Sequence, residues 1–270
     1  MQLELIRSIT DLRVPALAFA NARSLTRQIH LHVGPTNSGK THGALVTLSR
    51  ARTGMYAGPL RLLAHEVWER MNQGTISPGI PPRACNLRTG EEVRTVDEYA
   101  GLVSCTVEMA DVTRPYDVAV IDEIQMIADP QRGFAWTHAV LGLPAKELHL
   151  CGEASTVPLI QHLAKLCGDD LHVHNYERLT PLHVAPHSLY GDLGKVQRGD
   201  CIVAFKRSTI FRLKEQIEAR TGLQCALAYG ALPPETKSEQ AKLFNAGKLD
   251  VMVASDATVS YTHLTLPTKA

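Results

Sequence analysis

The sequence has no long hydrophobic run, no closely paired cysteines and no marked excess of charge of one sign. No apolar stretch approaches the roughly 18 residues that a membrane-spanning helix needs, so we expect no membrane partner. The amino terminus lacks the apolar core of a secretory signal, and Glu4 and Asp11 distinguish it from an intact, acid-poor mitochondrial transit peptide. The six cysteines include no C-x-x-C pair, which predicts reduced thiols in a cytosol-like or matrix-like compartment.

The 28 basic and 27 acidic residues give a net charge of +1, which neither requires nor excludes a nucleic-acid partner. The 270 residues are 44% hydrophobic and 20% charged, as in an ordinary globular protein with one large or two modest domains. This composition excludes intrinsic disorder, collagen-like repeats and a small disulfide scaffold.

What the sequence does contain is an alternation of short apolar runs with helical patterns, which is typical of βαβ units around a parallel sheet. The run at 118–121, closed by acidic residues, has the pattern of a central strand buried on both faces. The polar segment 169–199 is predicted to connect two α/β halves. Strands are predicted at 29–33, 54–57, 117–121, 148–150, 201–205, 225–229 and 251–254, and helices at 40–50, 60–71, 157–167, 208–220 and 234–246.

A glycine-rich loop stands between the first predicted strand and the first predicted helix. It reads Gly34-Pro35-Thr36-Asn37-Ser38-Gly39-Lys40-Thr41. This order fits G-x-x-x-x-G-K-[ST], in which glycines let backbone N–H groups converge on phosphates at a helix amino terminus. Lys40 is predicted to reach the β- and γ-phosphates of ATP, and the Thr41 hydroxyl is predicted to ligate Mg²⁺.

Two acidic residues follow the buried run at 118–121. A P-loop ATPase needs a carboxylate at the tip of an adjacent strand to hold Mg²⁺, and Asp122 is predicted to supply it. Glu123 is predicted to polarise the attacking water as general base. Alone, the pair could be a helix cap with an acidic first turn. The phosphate-binding loop about 80 residues upstream favours the ATPase interpretation.

Several segments resemble the ATP-dependent RNA helicases of the mitochondrial degradosome, the DExH-type suppressor-of-var family of superfamily two. The matching segments are 34–41, 58–66, 104–109, 118–126, 149–153, 178–181, 199–203, 229–237 and 253–257. The resemblance covers roughly residues 10–257. It implies an α/β fold of two RecA-like P-loop domains with mainly parallel sheets, the second incomplete, with ATP bound at their interface. The implied divisions are a lead-in at 1–28, a first domain at 29–175, a partial second domain at 176–257 and a tail at 258–270.

The resemblance also implies roles that no local pattern identifies. Gln125 occupies the fourth place of the Asp-Glu-x-His/Gln box, where it would face the second domain and sense the nucleotide. From spacing alone it could be a solvated helix residue. The implied RNA contacts also have structural alternatives. Thr89 and Gly90 could form an ordinary turn, Thr106 could be a strand residue, and Lys206 with Arg207 could be a solvated basic pair. The full set of implied RNA contacts is Pro59, Leu60, Arg61, Thr89, Gly90, Thr106, Lys206 and Arg207.

The activity implied by the resemblance is RNA-stimulated ATP hydrolysis with 3′-to-5′ unwinding in the mitochondrial matrix, in partnership with a mitochondrial exoribonuclease. Two other functions stay open, a P-loop nucleoside kinase such as a thymidine kinase and a non-catalytic RNA-binding remnant. Thymidine kinases combine a glycine-rich loop with an Asp-Glu-x-Gln strand end. They typically also carry a zinc site on C-x-x-C pairs and lack a second α/β unit, unlike this sequence.

The resemblance stops after Ala257. The segment 258–270 has no glycine and no charge before Lys269, which predicts a poorly ordered, non-native tail, with a genuine short isoform as the alternative. In the family, a later helix carries arginines that reach the γ-phosphate. Because this sequence contains no counterpart, we expect the chain to bind ATP through 34–41, to hydrolyse it slowly and not to unwind duplex RNA.

Two histidine pairs, His30 with His32 and His172 with His174, place both rings of a pair on one face of a strand, a spacing that a metal could use. No third and fourth ligand stands nearby in the sequence. The sequence therefore favours a structural or surface role for these histidines.

Overall fold

Parallel strands joined by helices form both halves of the chain, as the computed structural model shows for residues 15–181 and 183–255. The chain divides into two units, Met1–Thr180 and Pro181–Ala270. The expected α/β fold class is confirmed. The tail at 258–270 and the first half of the lead-in lie outside the described residues. Within the described ranges, no helix has both the length and the apolar character needed to cross a bilayer.

The first unit contains an eight-stranded sheet with the order β4-β3-β5-β2-β6-β7-β1-β8. Only β4 runs antiparallel to its neighbour, β3. The carboxyl ends of the other strands therefore share one edge of the sheet. The strands are β1 Gln28–Val33, β2 Gly54–Gly58, β3 Cys85–Arg88, β4 Val93–Arg94, β5 Leu102–Thr106, β6 Tyr116–Ile121, β7 Ala145–Gly152 and β8 Asp170–Asn175.

Helices cover both faces of this sheet. Because successive strand residues point to opposite faces, Ile121 packs in one core cluster with Ile160, and Val120 packs in the other with Leu45 and Leu48. The first unit's helices are α1 Ala20–Arg23, α2 Lys40–Arg50, α3 Arg61–Gln73, α4 Gly133–Gly142 and α5 Val157–Cys167. Short 3-10 helices lie at Pro15–Ala18, Val107–Met109, Ile124–Ala128 and Ala154–Thr156.

The segment predicted to connect the two halves, 169–199, begins with a strand, which corrects that prediction. Strand β8 pairs in parallel with β1 along its whole length at the margin of the sheet. Its side chains are mostly exposed, and among the described residues it has a neighbouring strand on one side only. A polar strand of this kind lacks the apolar run that marks a buried one.

The second unit contains three parallel strands in the order β10-β11-β9. Ile210 and Ile217 pack against one face of this sheet, and Phe244 packs against the other. The strands are β9 Cys201–Val203, β10 Cys225–Ala228 and β11 Val251–Ala254, and the helices are α6 Arg207–Thr221 and α7 Pro234–Asn245. A 3-10 helix lies at Leu193–Lys195.

A fully buried arginine joins the start of β1 to two distant segments. The Nη1 of Arg27 donates to the carbonyl oxygens of Val140 at 2.8 Å and Leu143 at 3.0 Å, at the end of α4. Its Nε donates to the carboxylate of Asp169 at 3.1 Å, immediately before β8. Both charged groups are inaccessible to solvent, so each depends on the other for compensation.

Candidate functional site

The glycine-rich loop leaves β1 at the carboxyl edge of the sheet and passes into α2 at Lys40. Gly39, the residue before the helix, has φ +80°, a conformation that favours glycine. A Cβ on Gly34 would lie 2.5 Å from the backbone oxygen of Tyr176, so only glycine permits this close approach of the chain beyond β8. Gly34 and Gly39 therefore stand at positions where the backbone of the loop requires glycine, as the sequence pattern predicts.

The loop holds two buried polar side chains. Lys40 is 7% exposed, and its Nζ donates to the carbonyl oxygen of Pro35 at 3.1 Å. The Oγ of Ser38 is buried and has no hydrogen-bond partner among the described residues. A buried hydroxyl without a protein partner is expected where a ligand completes its hydrogen bonding. A cation and a spare donor inside one turn fit the phosphate groups of a nucleotide.

Asp122 ends β6 beside this loop and is 5% exposed. Its carboxylate accepts hydrogen bonds from the Thr41 Oγ1 at 3.2 Å, the Tyr56 hydroxyl at 3.0 Å and the Glu123 backbone N–H at 3.0 Å. Burial, followed by the negative charge of Glu123, raises the pKa of Asp122 to about 6. A buried carboxylate in contact with a hydroxyl offers the oxygen ligands that Mg²⁺ prefers.

Glu123 stands in the left-handed region with φ +50°, a conformation that costs a non-glycine residue about 1–3 kcal/mol. The Nε2 of Gln125 donates to its carboxylate. The Oε1 of Gln125 is buried without a partner among the described residues, and a Cβ on Gly152 would lie 2.5 Å from it. Gln125 is therefore held against the end of β7 and is not a fully solvated helix residue.

The structure brings the predicted residues of the first unit to one edge of the sheet. The nucleotide residues follow β1 and β6, and the implied RNA contacts Pro59, Thr89 and Thr106 lie at the ends of β2, β3 and β5. Strand β2 lies between β5 and β6, so the two groups are neighbours along that edge. Ligands of open parallel sheets bind at this carboxyl edge.

Thr89 differs from its implied role as a direct RNA contact. Its side chain is buried, and its hydroxyl accepts the backbone N–H of Glu92 at 3.1 Å. The turn this stabilises leaves Gly90 exposed. Thr106 is also buried at the end of β5. Gly90 is thus accessible to a backbone of phosphates, whereas the Thr89 hydroxyl already has a partner within its turn.

Leu60 stands immediately before α3, and Arg61 opens that helix. The guanidinium of Arg61 is about half exposed and forms an ion pair with Glu91. In the second unit, Lys206 immediately precedes α6 and Arg207 begins it. The Arg207 guanidinium lies 5.1 Å from the centre of the Tyr229 ring.

Sequence reasoning missed two residues that hold Asp122. The Tyr56 hydroxyl donates to its carboxylate, and the Trp136 Nε1 donates to its backbone oxygen at 3.0 Å. Burial, followed by the charge of Asp122, raises the pKa of Tyr56 well above its ordinary value, so Tyr56 remains a donor. The sequence contains one signal for the role of Tyr56, which is its position within the buried run Gly54–Gly58. The hydroxyl of a buried tyrosine needs a hydrogen-bond partner, so a polar partner nearby is expected.

A family model described as the DEXQ-box helicase domain of Suv3 matches residues 15–176, more than half of the chain. The chain belongs to this helicase family. The family's box is named DEXQ, so the fourth position is the glutamine found at Gln125, and the expected DExH label is not confirmed. The nucleoside-kinase alternative is wrong, because the matching family is a helicase family.

Curated relatives agree with the family assignment. The chain is 49% identical to the mitochondrial ATP-dependent RNA helicase SUV3L of Oryza sativa over 256 residues, which are 94% of this chain and 34% of that protein. It is also 49% identical to human SUPV3L1, covering 93% of this chain and 32% of that protein. For SUV3 of Saccharomyces cerevisiae the identity is 49%, over 92% and 33% respectively. The chain spans about a third of the length of these relatives.

Solved helicase structures share the fold. The Escherichia coli DEAH/RHA helicase HrpB superposes with a TM-score of 0.61 at 17% identity, over 96% of this chain and 36% of that one. Mycobacterium smegmatis Lhr gives 0.59 at 17% identity, over 94% and 41%. Saccharomyces cerevisiae Dbp5 gives 0.57 at 14% identity, over 94% and 72%. These similarities confirm the expected RecA-like fold.

Proposed function

We propose that this chain forms the nucleotide-binding part of an ATP-dependent RNA helicase. The observation that carries the proposal is the 3.2 Å hydrogen bond between Thr41 and Asp122, which joins the phosphate loop to the strand-end acid. Such a pair is what a P-loop ATPase needs to hold a metal against the nucleotide. The names of the relatives supply the RNA substrate class.

ATP is bound by the loop at 34–41. Its backbone N–H groups and the amino terminus of α2 contact the phosphates, and Lys40 places a positive charge at the β- and γ-phosphates. Thr41 and Asp122 would hold Mg²⁺, which when bound would supply positive charge beside the phosphoryl oxygens. Tyr56 orients the carboxylate of Asp122, and Trp136 holds the backbone of the same residue through its carbonyl oxygen.

Glu123 accepts a proton from the attacking water. Its backbone stands in the left-handed region directly after β6 and Asp122, and Gln125 contacts its carboxylate. Gln125 therefore connects the general base to the end of β7, which suits a residue that senses the state of the nucleotide.

RNA binds along the same edge, over the ends of β2, β5 and β3. Arg61 and the exposed backbone at Gly90 contact phosphates without reading bases. Lys206 and Arg207 add positive charge in the second unit. Thr106, at the end of β5, is proposed to contact the RNA backbone beside Gly90.

The finer biology follows the relatives. The relatives are named mitochondrial helicases, which supports a location in mitochondria. A location in the matrix, 3′-to-5′ movement and a mitochondrial exoribonuclease as partner are proposed from the resemblance of the sequence motifs alone. These features are those of RNA turnover.

The test is to measure Mg-ATP binding and hydrolysis with and without single-stranded RNA, for this chain and for a longer protein that contains it. We expect saturable Mg-ATP binding by both and RNA-stimulated hydrolysis by the longer protein. Lys165→Ala, an exposed lysine of α5, is the matched control for Lys40→Ala. RNA binding without any ATP binding would instead identify a non-catalytic RNA-binding remnant.

A further inference from the structure

Histidines from three neighbouring strands line one face of the first sheet. They are His30 and His32 on β1, His149 on β7, and His172 and His174 on β8. In the strand register His30 lies opposite both His149 and His172. Neighbouring rings stack with centroids 4.9–5.4 Å apart and with interplanar angles of 8–23°. The sheet thus supplies the additional ligands that the sequence around each histidine pair lacks.

Glu147 adds a carboxylate to this face. One ligand atom each from His30, Glu147 and His149 lies within 4.8 Å of the other two. The Nε2 of His149 is 3.4 Å from the Oε2 of Glu147. Two imidazoles and one carboxylate at this spacing are a common ligand set for a metal with one coordination position left open.

The remaining ring nitrogens have partners that orient the rings. The Nδ1 of His149 is 2.9 Å from the Nε2 of His32, and the Nδ1 of His32 is 2.9 Å from the Tyr176 hydroxyl. The Nδ1 of His30 is 3.1 Å from the Nε2 of His174. Metal-bound histidines are usually held in this way, because a hydrogen bond at one nitrogen fixes which nitrogen faces the metal.

The three side chains lie where a cation can enter. His149 is buried, His30 is half-buried and the Glu147 side chain is 42% exposed, so the group opens to solvent on the Glu147 side. The neutral imidazole of a histidine is the form that binds a metal.

We propose that His30, Glu147 and His149 bind a divalent transition-metal ion, with Zn²⁺ as the best match. Imidazole ligands favour Zn²⁺ and its neighbours over Mg²⁺ and Ca²⁺, which prefer sites made entirely of oxygen. Three protein ligands leave the fourth tetrahedral position to a water molecule. The site is separate from the Mg²⁺ ligands of the nucleotide loop, and it does not depend on the helicase proposal.

The test uses the purified chain, freed of metal with a chelator, dialysed and titrated with Zn²⁺ in a calorimeter. We expect one saturable Zn²⁺ site whose affinity falls at least about tenfold in Glu147→Gln and in His30→Gln. His162→Gln, at an exposed histidine of α5, is the matched control and should bind as the parent does. Glu147→Gln preserves size at a partly exposed position, and its melting temperature without metal establishes that it folds.

A second readout identifies the ligand atoms. Co²⁺ in place of Zn²⁺ should give the visible absorption of a nitrogen and oxygen site, without a near-ultraviolet thiolate charge-transfer band. A thiolate band would assign the metal to cysteines and overturn the proposal. Absence of saturable Zn²⁺ uptake, or uptake that survives both Glu147→Gln and His30→Gln, would overturn it as well.

Discussion

The nucleotide loop and the histidine face share strand β1, yet they hold their polar groups in opposite ways. In the loop, Ser38 is buried without a partner in the described part of the chain, and Lys40 contacts a single loop carbonyl. On the histidine face, ring nitrogens pair with one another, and the chain of contacts ends at Tyr176. The loop thus leaves polar groups for a nucleotide, whereas the histidine face pairs several of its own ring nitrogens beside the proposed metal ligands His30, Glu147 and His149. Substitutions in the loop should therefore affect nucleotide binding and turnover, and substitutions on the histidine face should affect stability and metal binding but not nucleotide binding.

The largest effect is expected for Lys40→Ala. It removes the cation proposed to face the β- and γ-phosphates, so Mg-ATP turnover by the longer protein that contains this chain should fall by at least about 10²–10³-fold. The melting temperature should hardly change, because the one hydrogen bond that the Lys40 Nζ forms among the described residues goes to the loop carbonyl of Pro35. Steady-state ATPase assays and thermal melts check both expectations, with Lys165→Ala as control. Unchanged turnover in a folded variant would contradict the phosphate-loop assignment.

Glu123→Gln should slow hydrolysis by about 10²-fold or more while leaving ATP affinity intact. The amide keeps the shape of the side chain but cannot accept a proton. Single-turnover hydrolysis and equilibrium ATP binding measured on the same sample separate the two effects. If Glu123→Gln loses ATP affinity as severely as Asp122→Ala does, then Glu123 binds the metal and the two assigned roles are reversed.

His149→Ala should leave Mg-ATP affinity unchanged and lower the free energy of unfolding by about 2–4 kcal/mol in metal-free buffer. The substitution opens a cavity at a buried ring and removes the hydrogen-bond partner of His32. Denaturant unfolding monitored by circular dichroism measures the loss. His162→Ala should stay within about 0.5 kcal/mol of the parent. If His149→Ala instead caused a large loss of ATP affinity without a loss of stability, the histidine face would act on nucleotide binding as the loop does, and the expected difference between the two regions would be wrong.

Tyr56→Phe should have the smallest effect, a loss of about 1 kcal/mol in the free energy of unfolding. Asp122 keeps its contacts with Thr41 and with the Glu123 backbone N–H, so its carboxylate is not left unpaired. Denaturant unfolding provides the measurement, and a parallel Mg²⁺ titration of ATP binding should show a slightly weaker metal dependence. A loss as large as that of His149→Ala would mean that Tyr56 does more than orient the carboxylate.

The two regions also differ in how far their sequence predicts them. The loop at 34–41 is contiguous, and Asp122 directly follows an apolar run, so the amino-acid order alone identifies both. The contacts of His149 are not predictable in this way, because His32 is 117 residues away and only the parallel register of β1 and β7 brings the rings together. That register is set by the apolar residues on the opposite face of the strands, such as Leu31 and Leu150.

The strands that the sequence does not predict are missed for a similar physical reason. Strand β8 is polar because it lies at the sheet margin, and β3 and β5 are short and interrupted by polar residues. Tyr56 was missed because its partner, Asp122, is 66 residues away. In each case the deciding neighbour lies far along the chain, where periodicity carries no information.

The buried Arg27 has a consequence for where the first unit can be cut. A polypeptide trimmed to begin at residue 29 would leave Asp169 as a solvent-excluded anion and would remove the Arg27 donor from the carbonyls of Val140 and Leu143. Losing one member of such a pair typically costs about 3–5 kcal/mol, a large part of the stability of an ordinary domain. The first unit is therefore not a portable module bounded by its sheet. Anyone who excises it, or grafts it onto another motor, must carry the arginine upstream of β1 along with it.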